Sequence, residues 1–232
     1  MPNRYLSPYE SVLKWSQSEK PELSFVGKTF KDYTDWRKKF KKRLLELQGK
    51  TPERVPLNPE LVESTDMGTY VREKVIIDSY RYNSIPAYVL VPKDKSSEKR
   101  PAILAAHGHG RGKADVCGVV KDKAEYEKYV EPLNYDYAVQ FAEKGYVVIA
   151  PDWRGFGERS SPEEWVRSGR DPCNVNYMAY GYMGYHMLTL QIWDGMRIID
   201  YLQSRREVDK ELDVTLRWRP RLLAGYQIVF SI

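Results

Sequence analysis

The sequence predicts an α/β fold built on a mixed, mostly parallel β-sheet with helices on both faces. Two apolar runs, Pro101–Ala106 and Tyr146–Ala150, have the continuous hydrophobicity of strands that are buried on both faces. A helix-like segment separates them, and strand, helix and strand in this order form a right-handed crossover between parallel strands. Two earlier runs rich in Val, Ile and Tyr, residues 70–79 and 85–92, indicate an antiparallel pair at one edge of the sheet.

The composition favours one compact domain in the cytoplasm. The 232 residues are 42% apolar, which is enough to build a core. The first residues contain no stretch of signal-peptide length, and no run approaches the roughly 18 apolar residues of a membrane span. We therefore expect a cytoplasmic protein with no membrane partner. In that compartment Cys117 and Cys173 are expected to be free thiols.

The first 50 residues are predicted to form a helical arm. Thr29 and Asp32 have the spacing of a capping box, and Gly49 is suited to end the helix. The apolar residues recur at helical spacing, at Trp36, Phe40, Leu44 and Leu47. The formal net charge of +5 is concentrated on the other face of this helix, in Arg37, Lys38, Lys39, Lys41, Lys42 and Arg43. Because no nucleic-acid recognition motif accompanies these residues, we expect a solvated face and no nucleic-acid partner.

Between the arm and the first parallel strand, the chain is expected to supply a linker and the antiparallel pair. Three prolines between Thr51 and Asp66 predict an irregular segment there. The strand Pro101–Ala106 then runs into a loop of glycine and histidine, His107–Gly112, in which a close approach of backbone to ligand is possible. A structural βα connection remains the alternative interpretation of this loop. Asn134 is expected to cap a helix that runs through Lys144.

The second parallel strand also ends in a glycine-rich loop, Pro151–Ser160, so two such loops are expected to face one crevice. A short helix is predicted from Ser161 to Gly169, and a tyrosine-rich loop from Asn174 to Tyr185 either walls a pocket or serves packing. A long helix reaching about Ser204 follows. Its apolar face is predicted to consist of Leu188, Ile192, Met196 and Ile199, with Asp194, Arg197 and Asp200 elsewhere around it.

The succession of His107-Gly108-His109-Gly110, an apolar strand and Asp152-x-Arg154-Gly155-x-Gly157 resembles the α/β-hydrolase fold. The likeness is to dienelactone-hydrolase-like and acetyl-xylan-esterase-like esterases, and it covers about residues 5–212. It implies a three-layer fold whose core begins at residue 51, with residues 51–213 forming its first part and 214–232 a divergent tail.

The resemblance implies hydrolysis of a small-molecule carboxylic ester by a Ser, Asp and His triad, without a cofactor. The backbone N–H groups of His109 and Gly110 would then bind the oxyanion, and His107 would support the loop from beneath. The residues expected to line the binding crevice are His107, Asp152, Arg154, Tyr177 and Tyr180.

The sequence departs from this pattern after Asp213. No Ser lies in a Gly-x-Ser-x-Gly motif, and no later triad His is present. We therefore expect a truncated or frameshifted chain whose sheet is incomplete, lacking the nucleophile strand and later strands. The strand 101–106 would keep an unpaired edge, which either pairs with Gly225–Ile232 or promotes self-association.

Two other functions remain open at this point. One is a binding or scaffolding module that keeps the crevice without catalysis. The other is a metal-dependent hydrolase that uses His107, His109, His186 or Asp152. The spacing His107-x-His109 matches no common zinc site, so no metal is expected.

Overall fold

The computed structural model describes residues 4–93, 99–161, 172–209 and 215–218. The chain divides into two compact units, Met1–Gly49 and Lys50–Ile232. The helix predicted from Ser161 to Gly169 and the strand predicted from Gly225 to Ile232 lie mostly or wholly outside the described residues. In the described ranges, no helix combines the length and the hydropathy needed to cross a bilayer.

The first unit contains two helices, α1 (Pro8–Ser18) and α2 (Phe30–Gln48). The predicted capping box is confirmed: the N–H of Asp32 donates to the Thr29 hydroxyl at 3.1 Å, and the Thr29 N–H donates to the Asp32 carboxylate at 2.9 Å. These bonds from Thr29 hold the pKa of Asp32 below its usual value. Gly49 follows the helix with a φ of 71°, as a helix-ending glycine does.

The second unit is built on a six-stranded sheet in the order β1-β2-β3-β5-β4-β6. The first three strands are antiparallel, β3 pairs antiparallel with β5, and β4 runs parallel to both β5 and β6. The mixed sheet predicted from the sequence is therefore confirmed. The strands are β1 (Glu60–Asp66), β2 (Tyr70–Tyr80), β3 (Asn83–Pro92), β4 (Ala102–Ala106), β5 (Val147–Pro151) and β6 (Thr215–Trp218).

Helices cover both faces of this sheet, which makes three layers. The helices are α3 (Lys113–Val116), α4 (Lys123–Tyr129), α5 (Tyr137–Glu143), α6 (Pro172–Tyr182) and α7 (Met187–Ser204). On one face Ile103 packs with Val116 and Ala138. On the other, the next residue of β4, Leu104, packs with Ile198 and Leu202 of α7. Because successive side chains of a strand point to opposite faces, β4 joins the two cores.

Four sequence predictions for this unit are wrong in detail. The segment 51–66 was expected to be irregular, but its end forms β1, whose side chains are largely exposed and whose stability comes from backbone pairing with β2. Asn134 ends a 3-10 turn in a left-handed conformation instead of capping α5, which begins after Asp136. Most of the segment from Asn174 to Tyr185, expected to be a loop, belongs to helix α6, which ends at Tyr182. The strand beside β4 is formed by residues 215–218, ahead of the segment expected to pair there.

The predicted apolar face of α7 is also wrong. Leu188 and Met196 are about half exposed, whereas Asp194 and Arg197 are buried. The buried face consists of Met187, Thr189, Leu190, Asp194, Arg197, Ile198, Tyr201 and Leu202. This face therefore carries charged groups into the interior: the ionic partners of Asp194 lie in the loop after β5, whereas Arg197 bonds to Asp200 and to the Val55 carbonyl.

Candidate active site

The two glycine-rich loops meet at the carboxyl ends of β4 and β5. The N–H of Trp153 donates to Nε2 of His107 at 3.0 Å, and the N–H of Lys113 donates to Oδ1 of Asp152 at 2.7 Å. Each loop therefore holds the other through hydrogen bonds from main chain to side chain. The two glycine-rich loops that the sequence predicts to face each other are therefore in contact.

His107 is buried beneath the loop that follows β4. Because Nε2 accepts a hydrogen bond from the backbone N–H of Trp153, the ring proton lies on Nδ1, which donates a hydrogen bond to the carbonyl of Gly108 at 2.7 Å. Burial lowers the pKa of this imidazole below its usual value, so the neutral form is favoured. His107 thus positions the loops, and neither ring nitrogen faces the crevice as a base.

The loop from His107 to Gly112 is fixed on both sides of its exposed centre. The N–H of Gly108 donates to the Tyr135 hydroxyl, and that of Arg111 donates to the Asp115 carboxylate, both at 2.8 Å. His109 and Gly110, between these bonds, are exposed. In the described part of the chain the N–H of Gly110 donates to no acceptor.

A side chain at position 110 would collide with this anchor. A Cβ built on Gly110 would lie 2.3 Å from Oδ2 of Asp115. Glycine at this position therefore allows the carboxylate to approach the loop closely. The exposed ring of His109 packs edge-on against Phe156, with 5.0 Å between ring centroids.

Asp152 is completely buried and serves the loops as an anchor. Its carboxylate accepts hydrogen bonds from Nζ of Lys113 at 2.6 Å and from the N–H of Glu158 at 2.9 Å, besides the bond from the Lys113 backbone. Burial lowers the pKa of Lys113, but Asp152 and Glu158 together outweigh it and the pKa is raised. A buried carboxylate with three donors has little capacity to contact substrate.

Arg154 and Arg159 share one buried carboxylate, Asp194 of α7. Nη2 of Arg154 donates to Oδ1 of Asp194 at 2.7 Å, and Nη1 of Arg159 donates to Oδ2 at 2.9 Å. Arg154 also donates to the hydroxyls of Tyr80 and Tyr180, at 3.1 Å each. Asp194 was missed as a site residue because helical periodicity treats a polar residue as exposed.

Tyr177, the remaining residue expected in the crevice, does not join this group. It lies on α6, is more than half exposed, and makes no hydrogen bond to the two loops among the described residues. Tyr180, on the same helix, accepts a hydrogen bond from Arg154. Of the expected crevice residues, His107 and Asp152 connect the two loops, whereas Arg154 and Tyr180 bond to each other in a second polar group around Asp194.

Among the described residues, no three His, Cys, Asp or Glu side chains are grouped as metal ligands would be. Cys117 is buried, and burial raises the pKa of its thiol to about 12, so the thiolate is disfavoured. Cys173 is only partly buried and lies near Gly155.

Comparison with known proteins identifies the family. The chain matches the profile of the Abhydrolase family over residues 2–215. The chain belongs to this family. A curated family relative, "Putative hydrolase YtaP" of Bacillus subtilis (strain 168), is 27% identical over 175 residues, which are 74% of this chain and 52% of the relative.

Solved structures show the same Abhydrolase-type fold. A "putative acetyl xylan esterase" from Bacteroides fragilis superposes with a TM-score of 0.74 at 20% identity, covering 94% of this chain and 55% of its own. A glucuronoyl esterase from Solibacter usitatus gives a TM-score of 0.54 at 17% identity, covering 84% and 54%. The chain thus spans about half the length of the relatives that it matches.

Proposed function

We propose that this chain carries the oxyanion-binding part of a carboxylic-ester hydrolase site. The observation that supports the proposal is the exposed N–H of Gly110, which lies at the carboxyl end of a central strand between two anchored residues. Attack on an ester places negative charge on the carbonyl oxygen. A fixed N–H donor stabilises that charge by about 3 kcal/mol.

The proposal assigns a role to each group near this donor. The backbone N–H groups of His109 and Gly110 bind the oxyanion, while His107 and Asp152 keep the loops in place. In α/β-hydrolases a strand leads into the nucleophile turn, and one oxyanion donor comes from a His-Gly loop of this kind. β6 runs parallel beside β4, so its carboxyl end lies at the same edge of the sheet. The names of two structural neighbours, both esterases, agree with an ester substrate.

The sequence contains no recognisable motif for the nucleophilic serine of such a site. The 232 residues contain no Gly-x-Ser-x-Gly motif. We therefore expect the chain alone to hydrolyse esters at a near-background rate. Loss of the nucleophile from a triad enzyme lowers kcat by about 10⁶.

The test measures hydrolysis of p-nitrophenyl acetate and labelling by a fluorophosphonate. It compares this chain with a version translated in the alternative reading frame after codon 212. The proposal expects no adduct on this chain, and stoichiometric labelling of one serine in the version that regains the motif. In that version, Gly110→Ala should lower kcat, while Gly68→Ala, at an exposed turn, should not.

Two results would contradict the proposal. One is stoichiometric labelling and turnover by this chain, abolished by substituting one of its own serines. The other is a labelled, folded second version in which the change at Gly110 leaves kcat unchanged, because the loop would then contribute no oxyanion donor.

A ligand-binding module without catalysis is the second candidate. The observation that favours it is an intact pair of loops in a chain without the nucleophile motif. This alternative predicts tight binding of an ester without turnover in both versions of the chain. A metal-dependent mechanism through His107 is disfavoured, because hydrogen bonds to Gly108 and Trp153 occupy both of its ring nitrogens.

A further inference from the structure

A polar cavity lies on the far side of β5 from the His107–Gly112 loop. Its volume is about 190 Å³, it is partly open to solvent, and the start of β3, the loop after β5 and helix α6 line it. Neither His109 nor Gly110 lines it. The lining residues that carry the argument are Asn83, Arg154, Arg159, Asn176 and Tyr180.

The cavity has more positive than negative charge in its walls. Arg154 and Arg159 line it, and both donate to the single carboxylate of Asp194, which is completely buried. One carboxylate neutralises only one of the two guanidinium groups. Burial lowers the pKa of Arg159, and repulsion from Arg154 adds to that effect.

Neighbouring carboxylates are held by other groups. Glu158 pairs with Lys74 and Lys113. Asp78, at the margin, accepts hydrogen bonds from Asn58 and Ser84. Among the described lining residues there is no acidic side chain. The described lining residues therefore do not balance the excess positive charge.

The side-chain amides of the described lining residues offer donors to the cavity. The amide oxygen of Asn83 accepts from Nη2 of Arg159, and that of Asn176 accepts from the Ser161 hydroxyl at 3.3 Å, which leaves both NH2 groups to donate. The Tyr180 oxygen already accepts from Arg154. Nε of Arg154 is buried without a hydrogen-bond partner.

We propose that this cavity is a binding site for a carboxylate group. A ligand that brings negative charge and only acceptors would satisfy the unused donors and balance the second arginine. At about 30 Å³ per water molecule, the space holds an acetate-sized group together with some water. The inference goes beyond the proposed hydrolase function, because it needs neither an oxyanion loop nor a nucleophile.

The test compares acetate with acetamide, which has the same shape but no charge. Isothermal titration and thermal unfolding of this chain are followed at constant ionic strength, with chloride as the balancing anion. Acetate is expected to bind and to raise Tm with concentration, since a ligand of the native state stabilises it. Acetamide is expected to do neither.

Variants on helix α6 test whether acetate binds in this cavity. Asn176→Asp replaces a donor by a negative charge and should weaken acetate binding by at least about tenfold, while Asn176→Ala should weaken it less. Asn174→Asp makes the same charge change at an exposed position of the same helix and should stay within about twofold of the parent chain. Far-UV circular dichroism and the Tm in chloride confirm that each variant folds.

Equal Tm shifts by acetate and acetamide would overturn the proposal, as would equal losses in Asn176→Asp and Asn174→Asp. If Asn176→Asp fails to fold, Asn176→Ala provides the test. Unchanged acetate affinity in that variant would exclude the cavity as the acetate-binding site. Because the measurements follow binding alone, absence of esterase activity in the restored version leaves this result unaffected.

Discussion

The backbone N–H of Trp153 donates a 3.0 Å hydrogen bond to Nε2 of His107, so one imidazole connects the loops that follow β4 and β5. The bond exists only while Nε2 is unprotonated. Protonation would convert that nitrogen into a donor facing another donor. The alignment of the two loops is thereby linked to the protonation state of a buried side chain.

The first prediction is that His107 makes the stability of the protein depend on pH. Burial holds its pKa below the ordinary 6.5. Above pH 6.5 the imidazole is neutral in both states and its stabilising contribution is complete. As the pH falls from 6.5 towards the lowered native pKa, only the unfolded chain takes up the proton, and stability drops by up to about 1.4 kcal/mol per pH unit.

Urea denaturation between pH 7.5 and 5.5 measures this dependence. His107→Gln should flatten the slope of unfolding free energy against pH. His109→Gln is the matched control, because that imidazole is exposed, and it should preserve the slope. An unchanged slope in His107→Gln would show that His107 is not the titrating group.

The second prediction concerns the buried ion pair between Lys113 and Asp152. Lys113→Met leaves the buried carboxylate without its cation, which should cost about 3–5 kcal/mol of unfolding free energy. Lys31→Met breaks the exposed pair with Asp35 and should leave the unfolding free energy nearly unchanged, because solvent screens that pair. Denaturant titrations of both variants test the difference, and equal losses would contradict an anchoring role for Asp152.

The third prediction separates backbone strain from crowding at two glycines with similar φ. Gly68 has a φ of 88° and open space around it, so Gly68→Ala should cost only the left-handed strain, about 1 kcal/mol. Gly112 has a φ of 83°, and a Cβ there would lie 2.2 Å from Oδ1 of Asp152. Gly112→Ala should therefore cost about 3 kcal/mol or more, because the anchor must move. Similar losses in both variants would show that the loop adapts easily.

The fourth prediction tests the start of α2 with two threonines. Thr29→Ala removes the capping hydroxyl and should destabilise the first turn by about 1 kcal/mol. Thr34→Ala, inside the helix, should stabilise it slightly, because alanine has the higher helix propensity. Hydrogen exchange of residues 30–36 is expected to change in opposite directions. A change in the same direction would exclude a dominant capping contribution.

The fifth prediction is self-association through a sheet edge. Since β6 covers β4, the exposed edges in the described sheet belong to β1 and β6. The edge strand β1 carries Glu60, Glu63 and Asp66, whose charges oppose pairing between chains. We expect chains to associate through the β6 edge, so the mass from light scattering should rise with protein concentration. The rise should be equal in the parent chain and in Val62→Lys, because Val62 lies on the other edge strand, β1. A constant monomer mass would contradict this.

The sheet was largely predictable because its central strands are apolar on both faces. Every residue of β4 and β5 is buried, so continuous hydrophobicity marks them in the sequence. β1 could not be found in this way, since its stability comes from backbone pairing and not from an apolar face. Hydrogen bonds to a neighbouring strand leave no trace in the residue pattern.

The loops of the candidate site were predictable from glycine and histidine, but their internal chemistry was not. Asp194 and Arg197 were assigned to the outside of α7 because charged residues are usually exposed. Both are buried, since Arg154 and Arg159 lie opposite Asp194, and Arg197 reaches the Val55 carbonyl. Those partners are distant in sequence, so periodicity along one helix cannot reveal them.

The strand order has a consequence for the kinetics of folding. Ile103 of β4 pairs with Thr215 of β6, and the whole of β5 and helices α3 to α7 lie between them in the chain. Closing so long a loop costs entropy before the pairing returns any stability, whereas the hairpin of β2 and β3 closes locally. The hairpin should therefore form early and the β4–β6 ladder late, so that refolding intermediates leave one edge of β4 open, although every side chain of that strand is buried in the native protein.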